Sequence, residues 1–225
     1  MRVVTSIAPT RIERQQYCIF TWLRHTTDII SVNTANEIET LQPHFPMLSF
    51  RIGDTSTLFS KSTPKLTELI KVVDEPTLLI NSDISIEDDN LSLWTPQNCI
   101  LKIGIRYDYY SHNPDKKHYQ KWGIDAFLIL PEMVSLIPDL DFCVGCPGWD
   151  FWLPYHLWSR HNYKIEVVPG TLLHEFHTVG WSESDQVVYR SKMVEHYKVT
   201  PTMIPYFILD ITDRHKVPHV QARIR

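Results

Sequence analysis

Four apolar runs separated by helical patterns fill the chain up to Asp83, and no other feature constrains its fold as much. The runs are RVVTSI (Arg2 to Ile7), DIISVN (Asp28 to Asn33), MLSFRI (Met47 to Ile52) and TLLI (Thr77 to Ile80). Between them, Ile12, Ile19 and Leu23 share a helical face, as do Ile38 and Leu41, and Leu66, Leu69, Ile70 and Val73. Thr10 with Glu13 and Thr34 with Glu37 have capping-box spacing, and Thr63 with Pro64 reads as a helix start. Such alternation predicts parallel strands joined by right-handed crossovers, with helices on both faces of the sheet. Ligands of these sheets bind beyond the carboxyl ends of the strands. Those ends are polar here: Thr5 and Ser6, Asn33, Arg51, and Asn81 to Asp83.

After residue 90 the pattern changes. CILKIGIRYDYY (Cys99 to Tyr110) alternates apolar and polar residues, and IDAFLIL (Ile124 to Leu130) reads as a further strand. GCPGWDFWLPYHLW (Gly145 to Trp158) reads as a turn running into a helix, KIEVVP as a strand and TLLHEFH as another. Ser182 and Asp185 have the spacing to cap a helix reaching about Tyr197. The residues from Thr200 onward, including YFILDI, fit no element clearly. No repeat or low-complexity linker divides the 225 residues, so one α/β domain is expected, with a nucleotide-type front half and a mixed back half.

A net charge of −4 argues against a bulk nucleic-acid binder and leaves room for a small anionic ligand held by a local cluster. No apolar stretch near Met1 suits a signal peptide or membrane span, and the four cysteines are then expected as reduced thiols in a cytoplasmic protein. With seven glycines and neither a phosphate-binding loop nor a dinucleotide fingerprint, a nucleotide would have to be held by side chains and a cation. Asp83 suits a hard divalent metal, which needs few protein ligands when phosphates supply others. It equally suits a loop cap.

In this setting the chain resembles GT-A-fold glycosyltransferases. VVTSIAPTRIERQQYCIFTWL looks like their opening, and IISVN with NEIETL is similar to their second strand and helix. LLINSDISI stands where they carry a D-x-D motif, here the variant Asn81-Ser82-Asp83. WGIDAFLI, VGCPGWDFWLP and LLHEFH are similar to their acceptor-side strand, catalytic segment and late histidine. The resemblance implies a GT-A-like, Rossmann-type sandwich with a mostly parallel central sheet. Residues 1–90 would bind the nucleotide, and 91–225 would serve acceptor and catalysis. It implies transfer of a sugar from a nucleoside-diphosphate sugar, UDP-linked by preference, to a glycan or other hydroxyl acceptor with Mn²⁺ or Mg²⁺. Asp83 would hold the metal with His177, or with His174 as the competing choice. Asn81 and Ser82 would contact the donor, Thr5 and Ser6 would line the nucleoside pocket, and Arg11, Asn33 and Lys65 would serve base, ribose or diphosphate. Asp125 would bind sugar hydroxyls, and Trp149 and Trp152 would stack on the acceptor. Asp150, at a helix start, would be the base of an inverting reaction, its ionised form favoured by the helix dipole. Capping its helix is the plain alternative.

Three rivals stand beside this reading. Cys143, Cys146, His174 and His177 spell C-x₂-C and H-x₂-H, a possible structural zinc site, although their separation is unlike a finger's. His174 and His177 would also point to opposite faces of an extended strand. A nucleotidyltransferase would share the metal carboxylate, but SIAPTR offers one arginine and no glycine for a triphosphate. A non-catalytic nucleotide-sugar or glycan-binding module fits the Asn81 departure.

Overall fold

The computed structural model describes residues 1–59, 61–87, 93–178 and 180–198. YFILDI and the rest of the segment after residue 198 lie outside them. The elements run β1 (Arg2–Thr5), α1 (Ile12–Leu23), β2 (Ile29–Asn33), α2 (Ala35–Leu41), β3 (Ser49–Ile52), α3 (Leu66–Ile70), β4 (Thr77–Ile80) and β5 (Ile84–Ile86). They continue as β6 (Ile100–Tyr110), β7 (Asn113–Ile129), α4 (Pro131–Val134), α5 (Trp149–His161), β8 (Lys164–Glu175) and α6 (Glu183–Tyr197).

All eight strands form one sheet in the order β3-β2-β1-β4-β7-β6-β8-β5. The front half is parallel, as the alternation predicts: β1 pairs with β2 and β4, and β2 with β3. The back half is mixed: β4–β7, β6–β7 and β5–β8 are antiparallel, while β6–β8 is parallel. The architecture is therefore a Rossmann-like α/β fold with a mixed sheet. Strands β2 and β4 are buried at every position, which requires cover on both faces. The chain leaves β1 toward β2 and β3 on one side and returns to β4 on the other. The β1/β4 boundary is thus a topological switch point, where such folds open a crevice.

Local chemistry accounts for several element boundaries. Thr34 and Glu37 form a reciprocal capping box on α2, and Ser182 and Asp185 form one on α6. Thr10 caps nothing; Arg11 precedes α1 in the left-handed region, at φ 52°. Thr63 and Pro64 are also not a helix start. Pro64 bridges to Thr55 and Lys65 to Cys143, so α3 begins only at Leu66. KIEVVP and TLLHEFH belong to one strand, β8, which ends at Glu175. β7 extends far in front of IDAFLIL because its first half, rich in Lys and His, is an exposed ribbon paired with β6 beyond the core.

Gly148 shows how the back half is locked. It precedes α5 at φ 81°, and a Cβ there would collide with the Tyr189 ring of α6. Gly148→Ala therefore adds left-handed strain to a clash with the buried Tyr189 ring. A loss of about 2–4 kcal/mol is expected, read as a lowered denaturant midpoint.

Candidate functional site

The N-x-D stretch is a tight turn between β4 and β5. The Asn81 N–H donates to the Asp125 carbonyl, extending the β4–β7 ladder by one bond, and the Ile84 N–H closes the turn onto the Asn81 carbonyl. Helix α1 clamps β5 beyond the turn: Trp22 Nε1 donates to the Ile84 carbonyl (2.9 Å), and the Ile86 N–H donates to Thr21 Oγ1 (2.9 Å). Ile84 pairs with His174 on β8, and Asp108 on β6 pairs with His174 from the other side. Three strands thereby gather Asp83, His174 and Asp108 at one edge of the crevice.

His177 joins them. Its Nε2 lies 3.0 Å from Asp83 Oδ2, and His174 Nε2 lies 3.4 Å from the same oxygen. The strand-parity argument against shared ligation does not apply, because β8 ends at Glu175 and the chain turns before His177. The two imidazoles sit 4.8 Å apart between centroids. On their far sides, His174 Nδ1 faces Asp108 Oδ1 (2.8 Å) and His177 Nδ1 faces the Thr178 carbonyl (2.8 Å). Each Nδ1–H thus has an acceptor, and each Nε2 is presented to the Asp83 side. That is the ring orientation metal-binding histidines adopt. Among the described residues, Asp83, His174 and His177 form the cluster that could hold a metal ion. Cys143 and Cys146 are outside it, as reduced thiols, so no Cys₂His₂ cluster forms there.

The electrostatics fit a cation. Burial alone would raise the Asp83 carboxyl, but the hydrogen bonds and charge of His174 and His177 outweigh it and hold the group well below the usual carboxylate range. Burial lowers His174, while Asp108 and Asp83 raise it further, to about 9. The cluster thus contains an ionised carboxylate and, at His174, an imidazole that would exchange a proton for a metal.

Two clefts meet at this cluster, and Asp83, His177, Gly145 and Gly180 line both. The larger, about 930 Å³, lies over the β1–α1 loop, with Arg11, Arg14, Ser82 and Lys61 in its wall. Gln15 organises that loop: its Oε1 accepts from the Ala8 N–H (3.0 Å) and Ser82 Oγ (2.6 Å), and its Nε2 donates to the Ala8 carbonyl (2.6 Å). The Arg14 guanidinium lies over the Tyr17 and Tyr109 rings at 5.1 and 5.3 Å. The smaller cleft, about 510 Å³, is bordered by Asn81, Asp125, Asp150 and His174, with Trp122 and Trp181 among its aromatic residues.

Most of the other residues singled out in the sequence lie away from the two clefts. Thr5 is fully buried with its Oγ1 unpartnered, and neither it nor Ser6 lines a cleft. Asn33 is buried beneath the loop, donating from Nδ2 to the Ile7 carbonyl (2.8 Å). Lys65 lies outside both clefts, ion-paired with Asp139 (3.3 Å) and Asp141 (3.0 Å). Trp149 and Trp152 are core side chains. Trp149 packs on Phe127 and is almost wholly buried, yet it borders the smaller cleft; Trp152 lies outside both clefts and donates from Nε1 to the Tyr197 hydroxyl (2.7 Å). Asp125 does border the smaller cleft, but both its oxygens are committed, Oδ1 to Asn81 Nδ2 (2.5 Å) and Oδ2 to Arg106 Nη1 (2.9 Å).

Asp150 sits in the first turn of α5, accepting from the Phe151 N–H (3.1 Å). The helix end does not dominate its titration, contrary to the expectation from its position. Desolvation first, and the charge of Asp125 second, push its carboxyl up to about 8.

Arg106 and Asp108 do not stand out in the sequence because β6 looks like an ordinary half-buried strand. Their spacing of two, a sign that both face one side, is the available signal. Trp122 and Trp181 carry none beyond being aromatic.

No family model and no curated protein matches this chain. Solved structures do resemble it. One described as a glucose-1-phosphate thymidylyltransferase from Bacillus anthracis is 10% identical, spanning 88% of this chain and 95% of its own, with a TM-score of 0.42. A 4-diphosphocytidyl-2C-methyl-D-erythritol synthase from Anaerococcus prevotii is 14% identical, spanning 95% of both chains, with a TM-score of 0.46. The glycosyltransferase GlyE from Streptococcus pneumoniae is 12% identical, spanning 94% of this chain and 63% of its own, with a TM-score of 0.41. Likeness of this degree carries no argument about activity; the side chains must. Among the described residues, no helix is long and apolar enough to cross a membrane.

Proposed function

We propose that this chain is a metal-assisted glycosyltransferase that moves a sugar from a nucleoside-diphosphate sugar, UDP-linked by preference, to an acceptor hydroxyl. The observation that carries this reading is the Asp83–His174–His177 cluster on the boundary between two clefts. The larger cleft takes the nucleotide, with Arg11, Arg14 and Lys61 facing its phosphates. The smaller takes the sugar and acceptor. A divalent cation at the cluster would stabilise the charge that develops on the leaving diphosphate. Asp150 accepts the proton of the acceptor hydroxyl once it is ionised. Trp122 and Trp181 serve as the main aromatic surfaces for the acceptor, beside the largely buried Trp149, while Trp152 is spent in the core. Asn81 and Asp125 hold each other and shape the cleft wall.

One carboxylate and two imidazoles suit Mn²⁺ better than Mg²⁺, which prefers oxygen ligands. Titration calorimetry of UDP is therefore expected to show binding at least about tenfold tighter with Mn²⁺ than with Mg²⁺. Slow Mn²⁺-dependent hydrolysis of a UDP-sugar should accompany it. UDP binding indifferent to metal would contradict the reading. Metal-dependent binding with no turnover on any donor would favour the non-catalytic module instead.

A further inference from the structure

His174 is held on the side facing away from the cluster. Asp108 holds it through Oδ1, and Arg106 Nε donates to that same oxygen (2.8 Å) while its Nη1 donates to Asp125. Gln120 Nε2 occupies the other Asp108 oxygen (3.2 Å), and Asn81 the other Asp125 oxygen. We propose that Asp108 and Arg106 are positioning residues for the metal centre. The guanidinium sets, in one buried network, both the histidine that faces the cation and the cleft wall beside Asp150. This rests on the metal reading above and adds residues to which that reading gives no part.

The strands are built for this placement. Arg106 and Asp108 lie on one side of β6, opposite Leu172 and His174 of β8, after a register shift between Gly104 and Arg106. Such an irregularity re-aims side chains. Gly123 on β7 leaves the passage open: a Cβ there would lie 2.9 Å from both Cγ and Nε of Arg106. Asp108 and Asp125 keep only 7% and 5% of their side-chain area exposed, so each carboxylate depends on these partners. Asp108 Oδ1, 2.8 Å from His174 Nδ1, fixes the ring with Nε2 turned to the Asp83 side, where it is left for a metal.

The test is Mn²⁺ affinity, measured from the free-ion paramagnetic resonance signal, together with the visible spectrum of the Co²⁺-loaded protein. Asp108→Ala should weaken Mn²⁺ about 10–100-fold and alter the Co²⁺ spectrum, with Asp108→Glu restoring part of both. Gly123→Ala, which displaces Arg106 without removing a charge, should weaken Mn²⁺ in the same direction. Lys117→Ala, on the same ribbon but paired with Glu87, should leave it unchanged. Wild-type affinity and spectrum in folded Asp108→Ala overturn the inference while leaving the metal centre standing. Should Asp108→Ala fail to fold, unchanged affinity in Gly123→Ala overturns it. A wild-type protein that binds no Mn²⁺ overturns the centre and this inference together.

Discussion

Asp83→Ala is expected to abolish Mn²⁺-dependent UDP binding. Both histidines turn their Nε2 atoms toward one Asp83 oxygen, so the carboxylate is the point on which the cluster converges. Losing a group that merely orients a ligand typically costs about 10–100-fold in metal affinity, so losing the ligand should cost at least about 100-fold. The fold should survive. Ser82 and Asn81 keep their own hydrogen bonds, and β5 stays clamped by Trp22 and Thr21. The check is calorimetry of UDP with and without Mn²⁺, beside a circular dichroism melt. Full metal-dependent binding in a folded Asp83→Ala protein would remove Asp83 from its assigned role.

Asp150→Asn is expected to stop transfer while leaving UDP and Mn²⁺ binding intact. General-base catalysis contributes roughly 10²–10⁴-fold, and a drop of that size in kcat with an unchanged UDP dissociation constant is the signature. The wild-type rate has a predicted pH dependence. A base must be ionised to act, and burial with the Asp125 charge holds Asp150 protonated up to about 8. The transfer rate should climb with pH and level off above about 8. Asp125→Asn removes the charge that raises Asp150, so the rising limb should move to lower pH. Stability runs the other way. A carboxyl whose folded pKa lies above its unfolded value stabilises the fold fully below the unfolded value and loses that contribution as pH rises through about 8. Asp150→Asn, which stays neutral, should therefore melt higher than wild type at neutral to alkaline pH.

Much of the front half was legible because local and global signals agree there. TLLI is bounded as its composition predicts, and the Thr34–Glu37 spacing is a true capping box, as is Ser182–Asp185 in the back half. Thr10 and Thr63 carry the same kind of signal but lose to tertiary contacts. Gln15 ties down the loop around Thr10, and Pro64 and Lys65 are drawn into bridges with Thr55 and Cys143. Asp83 and the two histidines were legible as candidates. Their convergence was not, because it depends on β8 ending between His174 and His177. Lys65 and Trp152 looked like site residues by type, and only packing shows that one neutralises Asp139 and Asp141 while the other fills the core. Arg106 acts through partners at Asp108 and Asp125, which no linear spacing places together.

Pulsed paramagnetic resonance of Mn²⁺ bound in the presence of UDP tests most directly whether Asp83, His174 and His177 join protein to pyrophosphate through one ion. The expected spectrum shows ¹⁴N modulation from histidine together with ³¹P coupling from the nucleotide, and His177→Ala should diminish the nitrogen signal. A bound Mn²⁺ with ³¹P coupling but no histidine nitrogen, or with nitrogen and no phosphorus, would contradict it.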